Sequence, residues 1–198
     1  MTTSLDFAFA VAGDTIDRDY SYGLFQALAA ALPWLAEEPL AGVHPIRGLT
    51  ACADRMLVGG RTRLVLRLPE ARAAECAGLQ GARLELPAPL EVGRYTRREL
   101  LPYPVLHSRL VVTGAAEESD FVDDISRATA ALQIEAEAIV GRRGELRTGE
   151  QRFVGFSLML HGLSPEYSLR AQQHGIGLHR MLGCGLFVPH KSIAAVGG

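Results

Sequence analysis

The feature that most constrains the fold is the order in which hydrophobic patterns follow one another along the chain. Residues 5–11 alternate large apolar with smaller or polar side chains, which is typical of a half-buried strand. Residues 18–32 then change to helical spacing, and Pro33 ends the predicted helix. We expect the buried face of this helix to comprise Tyr22, Phe25, Ala29 and Leu32.

Three further strands and a short helix complete a first series. The strands are predicted at 42–49, 61–68 and 82–87, and the helix follows Pro69 and runs through Ala77. Strand, helix, strand, strand, helix, strand is the order of a ferredoxin-like unit. The first half of the chain therefore predicts one such unit.

The second half repeats the order with different residues. We predict a strand at 105–113, a helix at 119–132, a hairpin of 134–147 with 152–161, a helix at 164–174 and a last strand at 185–190. Ser164 is suited to cap the second helix, with Pro165 in its first turn. The predicted fold is α+β, with tandem ferredoxin-like (βαββαβ, RRM-like) units in domains 1–101 and 102–198, joined at the proline-rich residues 102–104.

A glycine-rich segment, residues 175–191, lies before the predicted last strand. It contains Gly175, Gly177, Gly183 and Gly185 together with the cations Arg180 and Lys191. Exposed amide groups in a glycine loop, flanked by cations, form a concavity suited to phosphate oxygens. The alternative is a tight turn with a helix cap at Gly175, which leaves the other three glycines unexplained.

Composition narrows the class of protein. The start of the chain has no basic segment followed by a long apolar run, so we expect neither a signal peptide nor a membrane anchor, and a cytoplasmic location. Three cysteines without CxxC spacing make disulfides and a zinc cluster improbable. We therefore expect a cytoplasmic globular protein with reduced thiols and no bound metal.

Charge is unevenly distributed although the net charge is only −2. Residues 41–109 carry eleven arginines and six acidic residues, and residues 141–198 carry seven cations and three acidic residues. Such segregation favours an electropositive face that binds a polyanion. The same pattern also fits acidic helices and basic strand faces that are merely solvated.

Two groups of arginines are candidates for binding RNA. Arg61, Arg63 and Arg67 have the same parity on a predicted strand, opposite to leucines, so we expect one charged and one buried face. A row of guanidinium groups suits an RNA backbone, although charge also protects an exposed edge strand from aggregation. The second group, around the later hairpin, comprises Arg142, Arg143, Arg147 and Arg152.

Four stretches of this sequence resemble a known family. They are VHPIRG at 43–48, RTRLVLRLP at 61–69, GFSLMLHGLS at 155–164 and GIGLHRMLGCGLFVPHK at 175–191. Together with the tandem architecture they resemble the RAMP proteins of CRISPR systems, in particular the repeat-cleaving endoribonuclease of the myxan-type branch. The resemblance covers nearly the whole chain, and the last stretch is its most specific part.

The resemblance implies cleavage of CRISPR repeat RNA without a metal ion or other cofactor. A ribose 2′-hydroxyl attacks the adjacent phosphate and leaves a 2′,3′-cyclic phosphate and a 5′-hydroxyl. The implied partners are the repeat RNA or mature crRNA, and other subunits of a type I interference complex. A non-catalytic RNA-binding subunit of that complex remains an alternative, whereas a nucleotide-binding metabolic protein is disfavoured because no P-loop or dinucleotide fingerprint is present.

The resemblance also points to candidate catalytic residues. His44 follows the first predicted helix, where many members of the family carry their catalytic histidine, and histidine suits proton transfer near neutral pH. Tyr20 or Tyr22 and the single lysine, Lys191, are candidates to assist it. His44 could instead be a surface residue that begins a strand, and Tyr22 a core residue. The phosphate contacts are expected at Gly175, Gly177, His179, Arg180, Gly183 and Gly185.

Overall fold

The computed structural model describes residues 3–47, 49–52 and 54–190, with no side-chain description for 49–52. The strands in the first half are β1 Ser4–Ala12, β2 Thr15–Asp17, β3 Gly42–Val43, β4 Leu49–Cys52, β5 Arg55–Leu57, β6 Arg63–Pro69, β7 Arg83–Leu84 and β8 Leu90–Glu99. Those in the second half are β9 Val105–Val111, β10 Glu137–Thr148, β11 Gln151–His161 and β12 Val188–Pro189. The helices are α1 Ser21–Ala31, α2 Ala73–Ala77, α3 Glu118–Ala131 and α4 Pro165–His174.

The chain divides into two compact units. The first unit comprises residues 1–100, 147–152 and 180–183, and the second comprises residues 101–146, 153–179 and 184–198. Two segments of the second half, 147–152 and 180–183, are thus grouped with the first unit. None of the helices in the described ranges is long and apolar enough to cross a bilayer.

The main sheet of the first unit has the order β3-β6-β1-β8-β7 and is antiparallel. Without the two-residue β7, this is the order of a ferredoxin-like unit, in which the first and third strands are central. The register pairs Asp6 with both Arg67 and Arg98, and Gly42 with Arg67. Directly paired residues lie on the same face, so these charged residues share one face of the sheet.

The sheet of the second unit has the order β10-β11-β9-β12, which is the same strand order again. Helices α3 and α4 supply the two crossovers, and Ser164 caps α4 by accepting a hydrogen bond from the Tyr167 amide, as predicted. Phe121 on α3 packs against Phe156 on β11, with ring centroids 4.8 Å apart. The tandem ferredoxin-like fold predicted from the hydrophobic order is confirmed.

The core of the first unit lies between one face of its main sheet and α1. The sheet contributes Phe7, Phe9 and Leu66, and the helix contributes Leu24 and Leu28. Of the helix face that we predicted, Leu32 is buried as expected, but Tyr22 is 41% exposed and Phe25 and Ala29 are only half-buried. The buried stripe runs through Leu24 and Leu28, since each is large and four residues from the other.

The last strand of the first unit lies further along the chain than we predicted. Only Arg83 and Leu84 of the predicted 82–87 strand form one, whereas the ten-residue β8 was missed. Its sequence, LEVGRYTRRE, contains a glycine and five charged residues, and these interrupt the alternation of apolar and polar side chains. Pairing with β1 makes it a strand, and that pairing is non-local.

Candidate active site

His44 lies on the chain directly after β3, on an extended continuation of that strand. Its backbone N–H donates to the carbonyl oxygen of Val65 at 2.9 Å, so the residue is held beside β6. Pro45 follows and restricts His44 to extended conformations. The side chain is 12% exposed, so His44 is not the free surface residue of our alternative interpretation.

A buried ion pair lies next to His44. Arg67 on β6 donates from Nε to Oδ1 of Asp6 at 2.7 Å and from Nη2 to Oδ2 at 3.0 Å. Burial alone would raise the pKa of Asp6, but contacts with His44 and Arg67 outweigh burial and hold that pKa well below its usual range. Asp6 is therefore ionised at neutral pH, and its orientation is fixed by a two-pronged contact.

The ring of His44 approaches the same carboxylate. Nε2 lies 3.4 Å from Oδ1 of Asp6, a distance and geometry outside those of a well-formed hydrogen bond, and Nε2 itself is buried. Burial lowers the pKa of His44; Asp6 opposes this, and the charges of Arg67 and Arg180 add to it. A histidine with a lowered pKa is neutral at neutral pH and is suited to accept a proton.

Arg180 belongs to a short 3₁₀ helix, Arg180–Leu182, within the glycine-rich segment. Its Nε donates to the carbonyl of Ala41 at 3.3 Å and its Nη2 to that of Leu40 at 3.2 Å. Burial, together with the positive charge of Arg67, lowers its pKa to about 10, so it remains protonated. Arg180 thus anchors the glycine-rich segment to the chain that leads into β3.

A small depression brings several predicted residues together. It is lined by Tyr20, Ser21, Leu24, Val43, His44, Pro45, Met181, Leu182 and Gly183, all from the first unit. The Tyr20 hydroxyl accepts a hydrogen bond from the backbone N–H of Ile46 at 2.5 Å, which fixes the loop that carries His44. Of the other predicted assistants, Tyr22 lies exposed on α1, and Lys191 lies outside the described residues.

The glycines of the segment have positive φ, as a tight backbone path requires. At Gly183 a Cβ would lie 3.2 Å from Cγ of Pro45, and at Gly185 it would lie 2.1 Å from the Ile176 carbonyl oxygen. Gly177 is similarly crowded by the carbonyl of Val112, and Gly175 ends α4. We predicted glycines that admit a close approach, and at three of them the closely approaching group is the protein's own chain.

His179 has an unusual backbone for its residue type. Its φ is 62°, and its ring lies 4.4 Å, centroid to centroid, from Phe153. The imidazole is half-buried, and burial lowers its pKa. Contact with RNA at His179 and at the glycines stays a prediction.

The predicted arginine row on β6 is corrected by the structure. Arg67 is only 1% exposed because it is paired with Asp6, so it is not part of a solvated face. Arg63 is half-buried and donates to the carbonyls of Gly60 and Thr62, whereas Arg61 is exposed in the turn before β6. An alternating pattern shows which residues share a face, but it does not show which face is solvated.

The arginines of the β10–β11 hairpin are all exposed: Arg142, Arg143, Arg147 and Arg152. Arg147 lies 3.9 Å from Asp19, a surface ion pair. Three further exposed arginines, which the sequence analysis did not select, lie on β8 at Arg94, Arg97 and Arg98. Missing β8 as a strand also meant missing them.

Asp6 is the functional candidate that the sequence analysis overlooked. The signal was present, since Asp6 is the single ionisable residue in the apolar stretch 5–11. A charged side chain in a buried strand requires a partner, but its partner lies 61 residues away. No group of three or more His, Cys, Asp or Glu side chains arranged for a metal ion occurs in the described ranges.

The chain matches a known family over nearly its whole length. The family model described as Cas6 Crispr matches residues 5–192. The chain is 40% identical over 194 residues to the CRISPR-associated endonuclease Cas6 of Myxococcus xanthus strain DK1622, an alignment that covers 97% of this chain and 84% of that protein.

Solved structures share the fold at much lower identity. One, described as CRISPR associated protein Cas6, has a TM-score of 0.67 at 12% identity and covers 96% of this chain and 100% of its own. Another, the CRISPR endoribonuclease Cse3 bound to a 19 nt RNA, has a TM-score of 0.55 at 13% identity, with 95% and 98% covered. The family model matches nearly the whole chain, and the alignment with the Myxococcus xanthus protein covers 97% of it. This chain therefore belongs to the Cas6 family.

Proposed function

We propose that this protein is the endoribonuclease that cleaves CRISPR repeat RNA to produce mature crRNA. The observation that carries the proposal is the position of His44, which lines a depression and lies beside an ionised carboxylate. The name of the 40% identical relative, a CRISPR-associated endonuclease, supports the activity class. Groups with shifted pKa values, such as His44 and Asp6, cluster at functional sites.

The proposed chemistry uses a nucleophile that the RNA itself supplies. The 2′-oxygen attacks the adjacent phosphorus, a 2′-O–P bond forms and the P–O5′ bond breaks. His44 takes the proton of the 2′-hydroxyl, and the departing 5′-oxygen takes a proton from water. The products are a 2′,3′-cyclic phosphate and a 5′-hydroxyl, and no metal ion is needed to activate a water molecule.

The residues around the depression have distinct proposed roles. Tyr20 positions the loop of His44 through the backbone of Ile46, and Arg180 contributes positive charge near the scissile phosphate. Tyr22 and Lys191 remain candidate assistants. The mature RNA could stay bound within a type I interference complex, which would make this protein one of its subunits.

RNA binding is assigned to the exposed arginines. Those predicted from the sequence are Arg61, Arg142, Arg143, Arg147 and Arg152, and the structure adds Arg94, Arg97 and Arg98 as exposed cations. Guanidinium contacts to phosphates release counterions, so each lost contact reduces the salt dependence of binding by about one unit of slope. Arg142→Gln with Arg143→Gln should reduce the slope of log Kd against log salt by about two if both contact RNA.

The decisive experiment is cleavage of a labelled repeat RNA from the protein's own genomic neighbourhood in the presence of EDTA. We expect the protein to cut it once per repeat. His44→Ala should slow single-turnover cleavage by about 10²–10⁴-fold with little change in RNA affinity. A substrate with a 2′-deoxyribose at the cut site should bind and remain intact.

His161→Ala is the matched control, because His161 also lies 3.4 Å from a carboxylate, that of Glu137, on the second unit. We expect it to cut normally. Binding of the wild type without cutting would instead identify a non-catalytic crRNA-binding subunit. Cutting that requires an added divalent metal, or cutting by His44→Ala at the normal rate, would contradict the proposed mechanism.

A further inference from the structure

The two ring nitrogens of His44 are not equivalent. Nε2 is buried and lies 3.4 Å from Oδ1 of Asp6, whereas the His44 side chain as a whole is 12% exposed. Nε2 is therefore closed to a molecule from solution in this structure. Nδ1 is the only other ring nitrogen, so it is the atom through which the ring can exchange a proton with a substrate.

The carboxylate that faces Nε2 is held in one orientation. Both of its oxygens accept hydrogen bonds from Arg67. Oδ1 also lies 3.4 Å from Nε2 of His44. An ionised carboxylate only accepts hydrogen bonds, so a nitrogen beside it is favoured in its protonated form. In a neutral imidazole this places the proton on Nε2 and the free lone pair on Nδ1.

The backbone that carries the ring is held on both sides. The N–H of His44 donates to Val65 at 2.9 Å, and two residues later the N–H of Ile46 donates to the Tyr20 hydroxyl. The ring therefore meets Asp6 because of its position in the fold rather than because of a flexible side chain. In unliganded enzymes a catalytic contact is often long and shortens when substrate binds, which suits a distance of 3.4 Å.

We propose that Asp6 is a positioning residue for His44, which keeps the ring proton on Nε2 so that Nδ1 receives the proton of the RNA 2′-hydroxyl. This rests on the proposed role of His44 in proton transfer. Asp6 does not itself contact the RNA. It fixes the tautomer and the orientation of the imidazole, as a carboxylate does for the histidine of a Ser-His-Asp triad.

The charges that face His44 come from three elements. Asp6 on β1 raises the pKa of His44, whereas Arg67 on β6 and Arg180 in the 3₁₀ helix lower it, and burial lowers it most. Tyr20 is the other titratable side chain that borders the depression. Removing the Asp6 charge must therefore lower the pKa of His44, and the acidic limb of the pH–rate profile must move to lower pH.

The first test reads the tautomer without any substrate. In ¹⁵N-histidine-labelled protein near pH 8, the His44 signals, identified by their loss in His44→Ala, should show a protonated Nε2 and an unprotonated Nδ1. A protonated Nδ1 in the wild type would overturn the proposal, whatever the cleavage assay shows. Because this measurement needs no Asp6 variant, it holds even if such variants fold poorly.

The second test combines rate and pH. Asp6→Asn should slow single-turnover cleavage by about 10–100-fold, with RNA affinity within about threefold of wild type and the acidic limb moved to lower pH. Asp6→Glu, which keeps the charge, should recover part of the rate. Glu137→Gln is the matched control, since it removes the carboxylate 3.4 Å from His161 and should change neither rate nor profile.

The outcomes separate the two proposals. If His44→Ala cuts normally, the proposed function of His44 fails. If His44→Ala is inactive while Asp6→Asn keeps the wild-type rate, tautomer and pH profile, only the role of Asp6 is overturned. A slower Asp6→Asn protein with an unchanged pH profile and tautomer would also contradict the proposal, because it would indicate a purely structural effect.

Discussion

The two units have the same strand order but bury different kinds of polar group. Among the residues whose side chains the structure describes, the buried polar ones of the first unit are Ser4, Thr62 and the charged Arg67, and those of the second are the neutral Ser108, Ser168 and Gln172. The buried polar groups of the second unit are hydrogen-bonded to backbone, as when Gln172 donates to the carbonyl of Leu101 at 2.9 Å. A shared topology thus leaves the chemistry of each sheet open, and in this chain the charged cluster lies in the unit that carries His44.

Removing Arg67 should have the largest effect on stability. Arg67→Met leaves the carboxylate of Asp6 partly buried without its main partner, and we expect it to lower the free energy of unfolding of the first unit by about 3 kcal/mol. Urea denaturation followed by fluorescence of Trp34, the single tryptophan, reports on that unit. Arg83→Met, which breaks an exposed pair with Glu91, should lose less than about 1 kcal/mol. Equal losses in the two variants would show that burial of the charge has no special role.

The second unit should instead be most sensitive to backbone crowding. Gly185→Ala combines a φ of 66° with a Cβ 2.1 Å from the Ile176 carbonyl oxygen, so the backbone must move, and we expect a loss of about 3 kcal/mol by circular dichroism. Gly162→Ala, also in the second unit, is the matched control, because its φ is 73° but nothing lies within 4 Å of the added carbon. That control should lose about 1 kcal/mol. If both variants lose the same amount, the positive φ alone accounts for the glycine.

The units should also differ in their response to acid. The pKa of Asp6 is lowered in the folded state, so its stabilising contribution is fully present at neutral pH and is lost as the pH falls below about 4. The midpoint of urea unfolding, measured by Trp34 fluorescence, should therefore fall in that pH range. In Asp6→Asn the midpoint should depend less on pH. An Asp6→Asn protein with the wild-type pH dependence would show that other carboxylates are responsible.

The smallest expected effect concerns the loop of His44. Tyr20→Phe removes the acceptor of the Ile46 N–H, and we expect a loss of about 1 kcal/mol in unfolding free energy and slower cleavage, because the loop is less well held. Tyr22→Phe removes a hydroxyl from a side chain that is 41% exposed and should leave the unfolding free energy unchanged, so its cleavage rate tests Tyr22 as an assistant separately from stability. A rate that falls in Tyr22→Phe and not in Tyr20→Phe would reverse the roles of the two tyrosines.

Local signals in the sequence predicted most of the second unit. The helix 119–132, the hairpin strands and the Ser164 cap agree with α3, β10, β11 and α4 to within a few residues, because each depends on side chains close together in sequence. The last strand was predicted over 185–190, yet only Val188 and Pro189 pair with β9. Pairing partners decide strand length, and they are distant in sequence.

The first unit shows the limits of such signals. The sequence of β8 is largely polar, and the segment forms a strand because it pairs with β1. The sequence pattern places Arg67 on a charged surface, but Arg67 pairs with a carboxylate 61 residues earlier. Gly183 lies against Pro45, while its predicted contact with phosphate stays a prediction. In each case the partner is supplied by a different part of the chain.

The sequence by itself indicated the tandem architecture and most of its elements, although not the position of β8, because hydrophobic period and capping residues are local properties. The family resemblance pointed to His44. Only the tertiary structure decided that Asp6 faces His44, that Arg67 is buried and that Arg180 is directed at backbone carbonyls. Strand register sets which charges meet across a sheet, and burial sets their energies. Neither is written in the residues of a single segment.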